Sequence, residues 1–310
     1  MNNSLTVVMY HYVREIHNSK YPNIKGLELE GFKRQLDFLQ SEFSIISAED
    51  LIYYAEDKVS NLPNNPCYLT FDDGYRDHYK YVLPEWKKRK LQGSFFPIAG
   101  PILKKELHVV NAVHFILACC DRKDHLVQDL NSECLKYGVT QEELKDYWSV
   151  IDKTSRYDSP EVIYLKRMLQ RELPKELRYK VSNSLFEKYV GVSESEFSED
   201  LYLSLDETKD LISEGMYVGS HSYHHDWMDR CPFQTQMKDI ELSLSFLKQI
   251  GAPTSSWIFC YPYGAYNNDT IAALKEKKCV LGLTTKNDHA SLDKNKLLEL
   301  SRFDTNDFPQ

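Results

Sequence analysis

Short apolar segments recur along the chain and alternate with amphipathic ones. Each is four to six residues long and rich in Val, Ile, Phe, Tyr or Leu, which is the pattern of a buried strand. We predict eight strands, at residues 5–10, 43–46, 67–71, 94–98, 216–219, 256–261, 280–284 and 298–302.

The amphipathic segments between these runs have the spacing of surface helices. In segment 32–41, apolar side chains recur at helical intervals and share one face. Ser47 with Asp50, and Ser204 with Glu207, have the spacing of capping boxes at helix N-termini. We predict helices at residues 32–41, 48–55, 161–172, 175–189, 208–214, 233–250 and 269–277.

This alternation predicts an α/β fold with a mainly parallel sheet. Because polar residues of functional type follow four different strands, we expect a distorted (β/α) barrel of about seven or eight strands. Residues 101–202 break the alternation with charged, Leu- and Tyr-containing helical stretches. We therefore predict one barrel domain over residues 1–310, with a core of 1–100 and 203–310 and a helical insertion at 101–202.

Composition narrows the classes of function. The 310 residues are 42% hydrophobic and 13% aromatic, which is enough apolar material for a full core. The formal net charge of −8 argues against a nucleic-acid partner, since such proteins gather Lys and Arg on one face. Seven cysteines without CxxC spacing indicate neither a disulfide framework nor a thiolate zinc site.

The N-terminal segment lacks the features of an export signal. Its apolar run at 5–10 has no basic residue before it and no small-residue cleavage site after it. No stretch approaches the ~18 apolar residues that a membrane span needs. We therefore expect a cytoplasmic location and no membrane span.

Two adjacent carboxylates, Asp72 and Asp73, follow the apolar strand at 67–71 and precede Gly74. Neighbouring side chains at a strand end point in different directions, so one can bind a metal while the other faces the attacking water. The cation would relieve the repulsion between the two carboxylates. A surface turn has the same residues, so this motif alone leaves both interpretations open.

His221 and His225 follow the predicted strand at 216–219, with His224 between them. Imidazoles at this spacing can converge on one ion with neutral nitrogens as ligands, although the spacing also arises by chance. Two histidines and one carboxylate leave coordination positions for water and substrate, as in catalytic sites. The set predicts metal-assisted hydrolysis with Asp72 as candidate base, and we expect His224 beside the ligands or in solvent.

Two further strand ends carry candidate residues. In the turn after the strand at 256–261, the backbone N–H of Tyr263 is a candidate donor to an oxyanion. An aromatic turn that packs on the core is the alternative. His11 follows the first strand, where either a catalytic or a structural loop histidine fits.

Taken together, these motifs resemble the polysaccharide deacetylase family of carbohydrate esterases. The family's TFDDG motif matches residues 70–74, which implies Asp72 as catalytic base and Asp73 as metal ligand. Its HSxxH motif implies His221 and His225 as the other two ligands. The resemblance covers residues outside the insertion and implies zinc or a similar divalent ion.

Two features depart from the family pattern. The family's RxPY motif reads CYPY at residues 260–263, so the arginine that orients the catalytic Asp is missing there, and Arg302 is the candidate substitute. Pro262 of this motif is expected beside the site. The late LxH motif, which carries the general-acid histidine in many members, is absent. In a subset of exopolysaccharide deacetylases that acid follows the first strand, in a segment similar to residues 9–11, which implies His11.

The resemblance implies hydrolysis of an N-acetyl group from an amino sugar or glycan. We expect an intracellular intermediate of surface-glycan synthesis as substrate. Two alternatives stay open: a non-carbohydrate amide or imide as substrate, and a catalytically inactive glycan-binding module. The sequence indicates neither the particular sugar nor an oligomeric state.

Overall fold

The computed structural model describes residues 4–155 and 158–310, so three residues of the predicted core and two of the predicted insertion lie outside the described residues. The chain divides into two units. We call them the barrel unit (1–14, 26–104 and 201–310) and the helical unit (15–25 and 105–200).

Strands occur in the barrel unit close to seven of the eight predicted positions, and also at residues 13–14, 27–28 and 290–291, where none was predicted. In chain order they are β1 (Ser4–Tyr10), β2 (Val13–Arg14), β3 (Leu27–Glu28), β4 (Ser44–Ile45), β5 (Pro66–Asp73), β6 (Ser94–Pro97), β7 (Tyr217–Val218), β8 (Trp257–Cys260), β9 (Cys279–Leu283), β10 (Ala290–Ser291) and β11 (Phe303–Asp304). The prediction at 298–302 was wrong in its bounds. Leu300 makes only an isolated bridge to Leu283, and regular pairing resumes when β11 meets β1.

Strand pairing follows the succession of a distorted barrel. β1 pairs in parallel with β5, β5 with β6, and β6 with β7. A bridge between Ser220 and Phe259 continues the pairing to β8, which pairs with β9. The bridge between Leu283 and Leu300 then leads to β11, which returns to β1. The predicted α/β fold class is confirmed.

Helices cover the strands and make up most of the helical unit. They are α1 (Leu29–Glu42), α2 (Ala48–Ala55), α3 (Leu83–Arg89), α4 (Ala99–Lys104), α5 (Val109–Cys119), α6 (Lys123–Lys136), α7 (Gln141–Val150), α8 (Pro160–Arg167), α9 (Lys175–Val190), α10 (Glu194–Leu201), α11 (Leu205–Ser213), α12 (Phe233–Ile250) and α13 (Asn268–Glu276). The predicted capping boxes of Ser47 and Ser204 are both present, at the starts of α2 and α11.

The helical unit contains α5 to α9 and most of α10, together with residues 15–25. The latter segment lies within the predicted core of the barrel but belongs to the helical unit instead. Tyr21 explains the difference, because its ring packs edge-on against Phe115 and Phe197, with centroids 4.9 and 5.7 Å away.

Within the two described stretches of the chain, no helix combines the length and the hydrophobicity that crossing a bilayer requires.

Candidate metal centre and active site

The three predicted metal ligands meet at the carboxyl ends of barrel strands. Asp73 ends β5, and His221 and His225 lie in the loop after β7. Oδ1 of Asp73 is 3.5 Å from Nε2 of His221 and 3.7 Å from Nε2 of His225. The two Nε2 atoms are 3.1 Å apart, and all three side chains are buried. The structure thus brings these three side chains to one point.

The proton position on His221 follows from its neighbour. Nδ1 lies 2.8 Å from the carbonyl oxygen of Cys260. Because a carbonyl oxygen only accepts hydrogen bonds, Nδ1 carries a proton, so in the neutral form of the ring that binds metals the lone pair is on Nε2, facing Asp73. An imidazole held in this way, with a second imidazole and a carboxylate oxygen beside it, fits a divalent ion such as Zn²⁺.

A left-handed turn at the end of β5 places the carboxylate of Asp73. Asp73 and Gly74 have φ values of 70° and 75°. A Cβ atom at Gly74 would lie 2.5 Å from Cβ of Pro97, so glycine is required both by the backbone conformation and by the space. The glycine of the TFDDG motif therefore lets the chain turn away tightly after the second carboxylate.

The histidine loop is held by a carboxylate of α12. Asp239 accepts hydrogen bonds from the backbone N–H groups of Tyr223 and His224, both at 2.9 Å. The Nδ1 atom of His224 also lies 2.8 Å from Asp239. His224 thus faces Asp239 and is outside the ligand set around Asp73.

The second carboxylate oxygen of Asp73 has a partner of its own. The hydroxyl of Tyr75 donates to Oδ2, which leaves Oδ1 to face the two histidines. Burial raises the pKa of the Tyr75 phenol well above its usual value, so the hydroxyl keeps its proton. Tyr75 in turn stacks on Tyr12, with ring centroids 4.0 Å apart.

Asp72 points to a different partner, the guanidinium of Arg302. The two NH groups lie 2.9 and 2.8 Å from the two carboxylate oxygens, and both side chains are buried. Burial opposes ionisation of Asp72, but the charge of Arg302, with His221, outweighs it and lowers the pKa to about 2. Asp72 is therefore ionised at neutral pH. Arg302 thus supplies to Asp72 the guanidinium that is missing from position 260, where the chain has a cysteine.

Cys260 brings its thiol to the same carboxylate, with Sγ 3.4 Å from Oδ2 of Asp72. Asp72, His221 and Cys260 are close enough to form a second potential ligand set. Two observations oppose that role. Asp72 is already paired with Arg302, and burial raises the pKa of the Cys260 thiol, so that the thiolate a metal requires is disfavoured.

His11 also lies near Asp72. Its Nε2 lies 4.0 Å from Oδ2 of Asp72, and 38% of its side chain is exposed. The ring is therefore near the proposed base and accessible to a substrate.

Tyr263 lies in the predicted turn after β8, with a φ of 58°. Its ring stacks on Trp227, with centroids 4.5 Å apart, and meets the ring of His225 edge-on at 4.6 Å. Pro262, directly before it, is buried. The turn thus lies against the ligand set, with an aromatic pair of Trp227 and Tyr263 next to His225.

Three residues of the site were not identified from the sequence: Tyr75, Trp227 and Asp239. Asp239 offered one signal, since it is a charged residue on the buried face of α12. Tyr75 follows the TFDDG motif directly, but nothing in the pattern indicates which atom its hydroxyl reaches.

Comparisons with known proteins indicate similarity to deacetylases. The family model described as "Polysaccharide deacetylase" matches residues 181–281, which include both site histidines and the Tyr263 turn but neither aspartate. Among curated proteins, no sequence is significantly similar.

Solved deacetylase structures share the fold over nearly the whole chain. Streptococcus pyogenes deacetylase PplD, in complex with acetate, is 18% identical with a TM-score of 0.58, and the match covers 97% of this chain and 92% of PplD. IcaB from Ammonifex degensii is 18% identical with a TM-score of 0.57, and the match covers 97% of this chain and 91% of IcaB. The BpsB deacetylase domain from Bordetella bronchiseptica is 15% identical with a TM-score of 0.56, and the match covers 97% of this chain and 96% of that domain. The resemblance indicated by the motifs is therefore confirmed: residues 181–281 match the polysaccharide deacetylase family model, and the fold of the chain is similar to that of solved deacetylases.

Proposed function

We propose that this protein is a metal-dependent carbohydrate N-deacetylase, which hydrolyses the N-acetyl group of an amino-sugar substrate. One observation carries the proposal: Asp73, His221 and His225 converge on one point, and the Asp72–Arg302 ion pair lies beside them. This arrangement combines ligands for a catalytic ion with a separate ionised carboxylate that is free of the ligand set.

Asp73, His221 and His225 would hold the ion, for which we propose Zn²⁺. Two imidazole nitrogens and one carboxylate oxygen are donors that zinc prefers, and three protein ligands leave room for substrate. When bound, the ion supplies Lewis acidity to the acyl carbonyl and to the attacking water.

Asp72 accepts the proton of the attacking water in this mechanism. Arg302 keeps the carboxylate ionised and fixes both of its oxygens. A pKa of about 2 makes Asp72 a weak base, so it accepts a proton efficiently only from a water far more acidic than bulk water.

The water oxygen adds to the acetyl carbon, the C–N bond breaks, and the products are acetate and a free amine. His11, in its protonated form, donates a proton to the departing nitrogen. The backbone N–H of Tyr263 is the proposed donor to the acyl oxygen. Pro262 and His224 would support the turn and the loop beside the ligands without touching the reacting atoms.

For the substrate we propose an intracellular N-acetylated amino-sugar intermediate of surface-glycan synthesis. The acetate bound to PplD is the product that such a reaction releases. The cytoplasmic location expected from the sequence stays a prediction, which cell fractionation tests. Release of acetate from chitin or peptidoglycan oligomers, with no release from a free, nucleotide-linked or lipid-linked N-acetyl sugar, would contradict the substrate proposal.

The test combines metal analysis of the purified protein with a screen for acetate release from N-acetyl sugars. We expect about one divalent ion per chain and metal-dependent release. Asp72→Asn should keep the ion and lower kcat by about 10² to 10⁴, the range of a general base, whereas Asp73→Asn should lose the ion. An Asp72→Asn enzyme of unchanged kcat would exclude the proposed base.

The same screen separates the two alternatives. Hydrolysis of simple amides or imides without acetate release from any N-acetyl sugar would indicate a non-carbohydrate substrate. Stoichiometric metal and glycan binding without any hydrolysis would indicate an inactive binding module. The intact Asp72–Arg302 pair argues against the second outcome.

A further inference from the structure

His78 is a buried histidine outside the ligand set, in a π-helical turn (His78–Val82) after β5. Its Nε2 lies 2.8 Å from the backbone carbonyl oxygen of His11. A carbonyl oxygen only accepts, so Nε2 carries a proton and donates it to this hydrogen bond. π-Helical turns inside helices often mark functional sites, which draws attention to the role of this contact.

Besides the hydrogen bond from His78, other contacts join the segments that follow β1 and β5. Tyr75 stacks on Tyr12, with ring centroids 4.0 Å apart. Asp77 accepts a hydrogen bond from Nε of Arg14 at 2.6 Å. These contacts fix the segment after β1 against the segment after β5, and the hydrogen bond from His78 does so at His11 itself.

The surroundings of His78 would suit an apolar ring better than an imidazole. It is fully buried and meets Phe71 and Phe95 at centroid distances of 5.3 and 5.7 Å. Within the described part of the chain, its Nδ1 atom has no hydrogen-bond partner. Burial also lowers the pKa of His78 to about 4, so the ring stays neutral at physiological pH. Among the described residues, the bond to His11 is the contact that uses the polarity of this ring.

We propose that His78 is a positioning residue for His11. Its Nε2–H fixes the backbone carbonyl of His11 and so holds the imidazole at the edge of the site, 4.0 Å from Asp72. The inference rests on the proposed function, because it assigns His78 a role in proton donation by His11 to the departing amine.

The test compares two substrates in the zinc-loaded full chain. The N-acetyl sugar that releases acetate in the screen has an amine leaving group that needs a proton, whereas 4-nitrophenyl acetate has a phenolate leaving group that does not. His78→Phe keeps an aromatic ring but removes the donor. We expect it to lower kcat on the sugar by about 10-fold, a fraction of the 10² to 10⁴ that a general acid contributes, with unchanged KM and metal content. Ester hydrolysis should stay within about twofold.

Two further variants separate positioning from general structural damage. His78→Gln carries an amide N–H that can donate near the position of Nε2, so it should recover most of the activity on the sugar. In a His11→Ala background, His78→Phe should have no further effect, since residues that act through one another are not additive. His125→Phe, an exposed histidine of the helical unit, is the matched control and should leave every measurement unchanged. His78→Leu replaces the Phe variant if the latter does not fold.

Equal losses on ester and amide, or additive losses in the double variant, would overturn the role of His78. The imidazole NMR signals of His11 give a readout that does not depend on activity, and they should shift in His78→Phe but not in His125→Phe. Unchanged signals would also overturn the inference. A wild-type enzyme that releases no acetate from any N-acetyl sugar would instead contradict the proposed function, and the NMR comparison would still decide whether His78 positions His11.

Discussion

Asp72 and Asp73 are consecutive and both buried, but the groups that contact their carboxylates differ in charge. On the Asp72 side, a permanently charged guanidinium binds both carboxylate oxygens. On the Asp73 side, the partners are the rings of His221 and His225 and the hydroxyl of Tyr75. One carboxylate has a fixed positive charge from the protein, and the other faces groups that are neutral in their metal-binding forms.

This difference explains how neighbouring carboxylates can take separate roles. A buried charge needs compensation, and Arg302 supplies it to Asp72 whether or not an ion is present. At Asp73 the neutral ligands leave a negative charge that a divalent cation would balance. The proposed base and the proposed ligand are therefore separated by their partners more than by their positions in the sequence.

The largest expected effect comes from removing the charge that distinguishes the Asp72 side. Arg302→Met leaves the Asp72 carboxylate buried without a cation and should lower the free energy of unfolding by about 3–5 kcal/mol. Urea unfolding followed by circular dichroism measures this loss. Adding Asp72→Asn should recover part of it, because the uncompensated charge is then gone. A loss below about 1 kcal/mol would mean that another group compensates the negative charge of Asp72.

A smaller effect is expected on the Asp73 side. Tyr75→Phe removes the hydroxyl that fixes Oδ2, so Asp73 can rotate and should hold zinc about 10- to 100-fold more weakly. Competition with a chromophoric chelator measures this affinity. Tyr79→Phe, which removes an exposed hydroxyl bound to Asp210, is the control and should not change it. Equal zinc affinity in Tyr75→Phe would leave the hydroxyl without a role in ligand orientation.

The residues proposed to hold the ion or to act as the base were largely predictable, because their types are fixed by chemistry. Carboxylates and imidazoles at the ends of parallel strands indicate a shared site, since those ends meet at one rim of a barrel. The turn after the second carboxylate was also signalled, by Gly74. Such inferences need only the residue type and the strand that carries it.

The contacts that hold these residues could not be derived in the same way. Arg302 could be named as a candidate from the sequence. Its contact with Asp72, however, depends on the path of the chain between Leu300, which bridges to β9, and β11, which pairs with β1. Asp239 binds backbone N–H groups, which every residue except proline has, so no sequence pattern identifies its partners. The eighth strand was predicted at the wrong residues because the chain there changes its pairing partner from β9 to β1 within a few residues.

The pH dependence of stability tests the Asp72 side independently of the ion. The pKa of Asp72 is about 2 in the folded protein and near 3.9 in an unfolded chain. A lowered pKa stabilises the folded state above the unfolded value, and this contribution of about 2–3 kcal/mol is lost as the pH falls from about 4 through the folded pKa. Urea unfolding between about pH 5 and pH 3 should therefore show a steeper decline for wild type than for Asp72→Asn. Parallel declines would contradict the low pKa.

The smallest effect is expected at Cys260, which stands where the family motif has arginine. Its buried thiol is a weak hydrogen-bond donor, and its Sγ lies 3.4 Å from a carboxylate that already accepts two N–H groups of Arg302. Cys260→Ala should therefore cost only about 1 kcal/mol of stability, mainly through lost packing, and should change kcat by less than about threefold. Unfolding and kinetic measurements beside Arg302→Met give the comparison directly. If the alanine variant lost as much stability or activity as Arg302→Met, the charge of Asp72 would depend on the thiol, and Arg302 would not be a sufficient substitute for the missing arginine.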